Sequence, residues 1–439
     1  MGIEDSELMI AKLRHKSQLS MLDTHSSMLE SRGTGWLEMS IRRRFAIKFS
    51  FVLIFGVAFT SAGFAQPPWK FIVTADSRSD SASDHNGVNI AILSEIVAEV
   101  IKHNVDFFLF GGDLAIGTSD QKELETQFLT WRDTMQPVYD AGILVYIVRG
   151  NHDASNYPSC ITAWNNVFSG PYTLPDNGPP GEVNLTYSVT HKNVFILALD
   201  EIKTAYRSID YVNQAWIDAQ LAANTRPHVF AFGHFTAFKM LWDSLGDHPA
   251  DRELFWKSLE KAGARTYFCG HEHFYNHARA DSDGDPNNDL HQYVIGSAGA
   301  PEHIWNGTWP YDNGGRTITK IYHTTRFGYV IVEIDGLNVT LTWMERDTND
   351  PKIPGTYTAR DVWSYTVTCG DAAHPYPPAD LNKDCYVDSF DFAIIANQWL
   401  QTGDLSADIA PDGGDSTVNE YDLAVLAENW LECTAPDCY

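Results

Sequence analysis

Basic residues are scarce in this sequence: 31 Lys and Arg stand against 57 Asp and Glu in 439 residues, a formal net charge of −26. Phosphate polyanions and anionic bilayers would be repelled, which excludes a nucleic-acid-binding patch. Long apolar runs are also missing. The run Phe49–Phe59 is 11 residues long, short of the ~20 that a bilayer-spanning helix takes, so no membrane span is expected in the mature chain. Cysteine is sparse, and the six present (Cys160, Cys269, Cys369, Cys385, Cys433 and Cys438) allow 15 connectivities. No pairing follows from sequence, although Cys433 and Cys438 are close enough for a small terminal loop and Cys269, in an apolar run, reads as a buried thiol. With 44% apolar and 20% charged residues, the composition is that of a globular protein. The length suits two or three domains.

The charge is unevenly spread. Residues 371–439 hold one basic residue, Lys383, against 14 acidic ones, so about half of the negative charge sits in the last 69 residues. The N-terminal part is the opposite. Arg42, Arg43, Arg44 and Lys48 precede the apolar run, and Gly63-Phe64-Ala65 offers small residues where a signal peptidase cuts. This is the layout of a secretory signal peptide over residues 39–65, which implies a secreted, periplasmic or cell-surface protein. Residues 1–38 show no clear periodicity and are expected to lie outside the mature protein.

What is present in the middle is a series of short apolar runs that stop at polar clusters. Lys70–Ala75 leads into Asp76-Ser77-Arg78, and Phe107–Phe110 into Gly111-Gly112-Asp113. Ile143–Val148 ends in Arg149-Gly150-Asn151-His152-Asp153, Val229–Phe232 in Gly233-His234, and Thr266–Cys269 in Gly270-His271-Glu272-His273. Amphipathic stretches at Val88–His103 and Gln121–Tyr139 separate the first three. Alternating strands and helices of this kind place ligands beyond the C-terminal ends of the strands, so the clusters are expected to converge. Each is a plain turn when taken alone; the ordered set of Asp, Asp, Asn and three His is the N/O donor set of Fe, Mn or Zn, without thiolates.

In that order the motifs resemble the calcineurin-like metallophosphoesterase family over roughly residues 69–345. The resemblance implies an α/β fold, a two-sheet β-sandwich flanked by helices, in a domain bounded at residues 69–368, with two divalent or trivalent transition-metal ions at one edge. It makes Asp113 the bridging ligand, gives Asp76 and His273 to one metal and gives Asn151, His234 and His271 to the other. It leaves His152 as the non-ligand catalytic histidine, its ring held by Asp153. The implied reaction is hydrolysis of a phosphomonoester or phosphodiester by a metal-bridging hydroxide. Arg78 departs from the family, which usually has a ligating His there; a guanidinium cannot ligate, so it either contacts the substrate phosphate or pairs with a neighbouring Asp. Ile116 stands where the purple acid phosphatase branch has Tyr, so a tyrosinate-bound Fe(III) is not expected. The competing reading is a degenerate, non-catalytic metal-binding protein whose tail does the work. Downstream, Asp281–Asp289 (DSDGDPNND) reads as a calcium loop or an acidic surface loop on the cleft rim, and Trp305, Trp309 and Tyr311 as ligand-stacking or packing residues.

Beyond a Pro-rich linker, residues 369–379, comes a duplicated module over residues 380–433. Val387–Leu400 aligns with Val418–Leu431 at an offset of 31, with 6 identities in 14 positions. Asp380, Asn382, Asp384, Asp388 and Asp391 take positions 1, 3, 5, 9 and 12 of a twelve-residue loop, the EF-hand spacing. Phe392, Ile395, Ala396 and Trp399 form an apolar helical face after it. The second copy is longer before Asp415, Asn419 and Asp422. This looks like a small all-α type I dockerin, which implies Ca as cofactor and a cohesin-type or cell-surface partner; Cys385 replaces the usual loop Gly.

Overall fold

A computed structural model describes residues 67–432, except 82, 155–158, 203–211, 225, 287, 310–312, 368–375, 383–386, 404 and 412–413. The signal segment, residues 1–38, Tyr311, Asp384, Cys369, Cys385, Cys433 and Cys438 therefore lie outside the described residues.

The strands are β1 (Trp69–Thr74), β2 (Phe107–Phe110), β3 (Leu144–Ile147), β4 (Tyr187–His191), β5 (Val194–Ala198), β6 (His228–Phe232), β7 (Thr266–Cys269), β8 (Tyr275–Asp281), β9 (Leu290–Ile295), β10 (Thr317–Thr324), β11 (Gly328–Asp335), β12 (Asn338–Arg346) and β13 (Tyr357–Thr366). They form two mixed sheets, in the orders β13-β12-β11-β1-β2-β3 and β10-β8-β9-β7-β6-β5-β4. Parallel pairing is confined to β1-β2-β3 and β5-β6-β7-β9. Of these, β1, β2, β5, β6, β7 and β9 are almost wholly buried, as parallel strands covered on both faces should be, while the edge strand β3 exposes Leu144.

Helices α1 (Ile90–His103), α2 (Gln121–Asp140), α3 (Ser159–Val167), α4 (Gln214–Ala223) and α5 (Pro249–Lys261) lie between the strands. Along α2, Leu124, Phe128, Trp131, Met135 and Val138 are buried, a 4-3-4-3 spacing that keeps one stripe on the core. The side chain of Asp120 caps its start by accepting from the N–H of Glu123. Helix α1 starts two residues later than the periodicity suggests. Asn89 is its cap, accepting from the Ile92 N–H, and Val88 instead bridges to Arg78 in extended pairing.

Aromatic rings join the two sheets. Phe71 of β1 meets Phe230 of β6 and Phe268 of β7 edge-on, at 5.4 and 6.5 Å between centroids. Trp343 of β12 stacks on Tyr275 of β8 at 4.0 Å, both fully buried. Beside that pair runs a buried polar chain. His277 Nδ1–H donates to Asp361 Oδ2 at 2.7 Å, His277 Nε2 meets His291 Nδ1 at 2.7 Å, and the His291 ring stacks on Trp363.

After the linker, α6 (Ser389–Gln398) and α7 (Glu420–Glu428) form a separate small core of Val387, Ile395, Ala407, Val418 and Leu426. Both start in the same way: Asp388 and Asn419 cap, with Asp391 and Asp422 accepting back from the cap N–H. Asp391 also takes the N–H groups of Leu381 and Asn382, and Asp422 those of Ile409 and Ala410. Each repeat is tied to the end of the other: Leu400 N–H bonds Val418 and Leu431 N–H bonds Val387. Ala396 is exposed and Ile394 packs inward in its place. Among the described residues no helix is long and apolar enough to cross a membrane.

Two measurements check this architecture. Trp343→Ala removes the ring that bridges the sheets and should lower unfolding free energy by about 3–5 kcal/mol in chemical denaturation. Burial, then His277, Arg265 and Arg279, hold His291 down to about 2. The fold thus favours the neutral ring, and its stabilisation is present above pH ~6.5 and declines as pH falls toward 2, by up to about 1.4 kcal/mol per pH unit. His291→Gln should flatten the melting-temperature slope below pH 6.5; an unchanged slope would refute the buried-neutral assignment.

Candidate metal centre

The polar clusters meet at one end of the sandwich because β1, β2, β3, β6 and β7 run parallel and stop there together. The backbone is forced to present them. Asp76, Asp113 and His271 have φ of 63°, 52° and 68°, the left-handed region that non-glycine residues avoid. Hydrogen bonds from Asp76 N–H to Gly112 and from Ser77 N–H to Asp113, both 3.0 Å, lock the first two turns together. A Cβ at Gly150 would collide with the Asp113 carboxylate, and one at Gly270 with that of Asp76. These two glycines keep room for the carboxylates.

Six of the expected ligands are brought together. Asp76, Asp113 and His273 offer donor atoms that all lie within 4.8 Å of one another. On the other side, Asn151 Oδ1 is 3.0 Å from His234 Nε2 and 2.9 Å from His271 Nδ1, and His234 Nε2 is 3.5 Å from Asp113 Oδ1. Backbone carbonyls fix two of the rings: His234 Nδ1–H donates to Gly111 and His273 Nδ1–H to Pro301, at 2.8 and 2.6 Å. That leaves Nε2 of each as the donor toward the centre.

The electrostatics fit cations. Burial raises the Asp76 carboxyl to about 7 against the opposing pull of His234, with Asp113 adding to the rise. Burial works on Asp113 too, but His234, His152 and Arg78 outweigh it and hold that carboxyl below the usual range. Asp113 is thus the ionised partner while burial and its neighbour hold Asp76 partly protonated at neutral pH, and a cation between them would draw that proton off. Burial, then His303 and Arg78, bring His273 down to about 3. Burial also lowers His271, so both are unprotonated ligands at neutral pH. Asp76 Oδ1 is buried without a hydrogen-bond partner, an orphaned acceptor that a metal would satisfy.

Arg78 and His152 flank this group. Arg78 Nε lies 4.0 Å and His152 Nε2 3.9 Å from Asp113 Oδ2. Both line a cavity of about 260 Å³ that opens over the centre. The expected role of Asp153 is corrected: His152 Nδ1–H meets the carbonyl of Ile116 at 2.6 Å. The Asp153 carboxylate instead accepts from the N–H groups of Gly150 (2.8 Å), Leu114 (3.0 Å) and Ala115 (3.4 Å). It is fully buried and binds the second turn to the third, because the left-handed turn at Asp113 aims those donors at it.

Sequence reasoning missed Glu201, which is buried after β5 and accepts from His234 N–H (2.8 Å), Phe235 N–H (2.7 Å) and Tyr267 Oη–H (2.6 Å). The signal was there, since Val194–Leu199 is another apolar run ending in acids, Asp200-Glu201. Arg149 pairs with Asp200 at 2.6 Å below it. His303, whose ring stacks on His273 at 3.8 Å, carried no such signal. Trp305 and Trp309 pack on each other away from the cavity lining. The Asp281–Asp289 loop is not on the rim: seven-residue β8 carries it about 20 Å away, and Arg279 reaches Asp289 at 3.2 Å.

Comparison with known proteins gives one family match and several similar folds. Residues 70–275 match the family described as calcineurin-like phosphoesterase. Among solved structures, PhoD is similar at 12% identity, with 70% of this chain and 71% of that chain covered and a TM-score of 0.51. A purple acid phosphatase from yellow lupin (Lupinus luteus) seeds shares 15% identity over 69% of this chain, with a TM-score of 0.48. The match spans 54% of the lupin protein, about half its length. A dimetal phosphatase from Danio rerio shares 12% identity over 69% of this chain and 100% of that one, with a TM-score of 0.44. No protein of curated function matches the chain. Family match and converging side chains together mark residues 70–275 as a calcineurin-like phosphoesterase domain.

Proposed function

We propose that this chain is a dinuclear-metal phosphohydrolase acting on phosphomonoesters or phosphodiesters. The observation that carries the reading is the convergence of Asp76, Asp113, Asn151, His234, His271 and His273, with Asp76 Oδ1 buried and orphaned among them. Asp76, Asp113 and His273 would hold one metal and Asn151, His234 and His271 the other, with Asp113 common to both. Fe, Mn or Zn bound there supplies Lewis acidity toward phosphoryl oxygens and lowers the pKa of water.

The chain's own side chains do the rest. Arg78 sits where a guanidinium can donate charge-assisted hydrogen bonds to the non-bridging phosphate oxygens, in place of the ligating histidine it displaces. His152, oriented by the Ile116 carbonyl, presents Nε2 to the cavity and exchanges a proton with the leaving oxygen. Asp153 acts on this histidine indirectly, by fixing the turn that carries it.

We further propose export, with residues 39–65 as the removed signal, and a dockerin-like module at residues 380–433 that binds Ca and a cohesin-type or cell-surface partner. The support is the duplication. Asp391 and Asp422, both fully buried, close equivalent loops onto equivalent helix starts. Asp388, Asn419 and Asp415 stand along those loops, and Asp408 accepts the N–H groups of Asp415 and Ser416 in the longer second one.

Metal analysis with turnover of p-nitrophenyl phosphate and its bis-ester tests the first proposal. His152→Ala should lower kcat roughly 10²–10⁴-fold at unchanged metal content, whereas Asp113→Ala should lose metal. Full activity in His152→Ala would remove its role, and a metal-loaded protein inert toward both esters would leave the non-catalytic reading. The second proposal is tested by limited proteolysis of the full chain with and without a calcium chelator. Chelation should expose residues 380–432 to cleavage, because uncompensated carboxylates repel, and spare the catalytic domain. Protection unaffected by the chelator would refute calcium binding.

A further inference from the structure

One side of the cavity over the metal centre is aromatic. Trp242 stands at its mouth with 55% of its surface exposed. The ring of His303 lies 5.8 Å from it, and Phe235 lines the same cavity against His271 at 4.7 Å. A tryptophan exposed to that degree at a polar pocket contributes little to the core, and a large flat face open to solvent is the surface on which another ring stacks.

The wall is held in place by a residue inside the metal-binding motif. Glu272, between His271 and His273, is fully buried, and its Oε1 accepts the backbone N–H groups of both Leu241 and Trp242 at 2.9 Å. His303 is fixed from the same segment: its Nδ1 accepts the His273 N–H at 3.1 Å while its ring covers that of His273. The peptide that presents two metal-type histidines therefore also sets the position of the ring beside them. Asp243, next to Trp242, lines the mouth as well. Its carboxylate opposes a leaving group that carries further negative charge.

Resting on the phosphoesterase reading above, we infer that the Trp242–His303 wall selects phosphoesters whose leaving group is an uncharged flat aromatic ring, with Glu272 as a positioning residue for that wall. The cavity, at about 260 Å³, holds a phosphoryl group and one ring. A phenol and a nucleobase both offer such a ring, the latter spaced from phosphorus by its sugar.

The test is calorimetric binding of non-hydrolysable phenylphosphonate against methylphosphonate to the metal-loaded full chain, with a nucleoside 5′-monophosphate as the third ligand. Phenylphosphonate should bind roughly five- to tenfold more tightly than methylphosphonate. The ratio should collapse to about one in Trp242→Ala and persist in Trp242→Phe. Glu272→Gln should lower the ratio with metal content retained. A nucleotide that outbinds phenylphosphonate would place the ring farther from phosphorus and support the same wall. Equal binding of phenyl- and methylphosphonate to the wild-type chain, or a ratio untouched by Trp242→Ala, would overturn the inference and leave the phosphoesterase reading intact. Failure of every ligand to bind a metal-loaded chain would overturn that reading first.

Discussion

Two carboxylates, Asp76 and Asp113, are buried side by side at the ends of adjacent parallel strands, and much of the catalytic domain follows from that constraint. Like charges in a water-excluded site repel strongly, so the arrangement is stable only if cations or donors surround it. Each neighbour is of that kind. His271 N–H donates to Asp76 and His152 N–H to Asp113, and Arg78 leans in from the first turn. The strained turns at both aspartates and the missing Cβ atoms at Gly150 and Gly270 are the backbone's share of the same arrangement. Such strain persists where the surroundings over-determine it, and here interlocked backbone bonds and the buried Asp153 do so.

The convergence of the six side chains was legible in the sequence because it is built locally. Each lies within a few residues of the end of an apolar run, so strand pattern and residue type together pointed to their meeting, and the parallel order of β1-β2-β3 and β5-β6-β7 follows from the strand–helix alternation. What was not legible depends on contacts between distant segments. Glu201 matters because β5 lies beside β6, which puts its carboxylate under the His234 turn. His303 is thirty residues from the ring it covers. Asp153 adjoins His152 in sequence and was assigned to its ring for that reason, yet the direction of a side chain at a tight turn is set by the turn's dihedrals and not by adjacency. The Asp281–Asp289 loop shows the converse: it is close in sequence to His273 and far in space, because a regular strand separates them.

The acidic balance of the chain also divides by structure. In the catalytic domain several carboxylates are internal and committed, Glu201 and Glu272 to backbone N–H groups and Asp200 to Arg149. In the C-terminal repeats the two central ones, Asp391 and Asp422, are committed to loop closure. A few of the surplus acids are therefore internal scaffolding and not part of a repelling outer coat.

The crossed bonds of the repeats, Leu400 to Val418 and Leu431 to Val387, have a consequence for heredity. Each half supplies a backbone carbonyl that closes the other, so a single copy would leave its terminal N–H unpaired. Loss of one copy by recombination would disable the survivor as well.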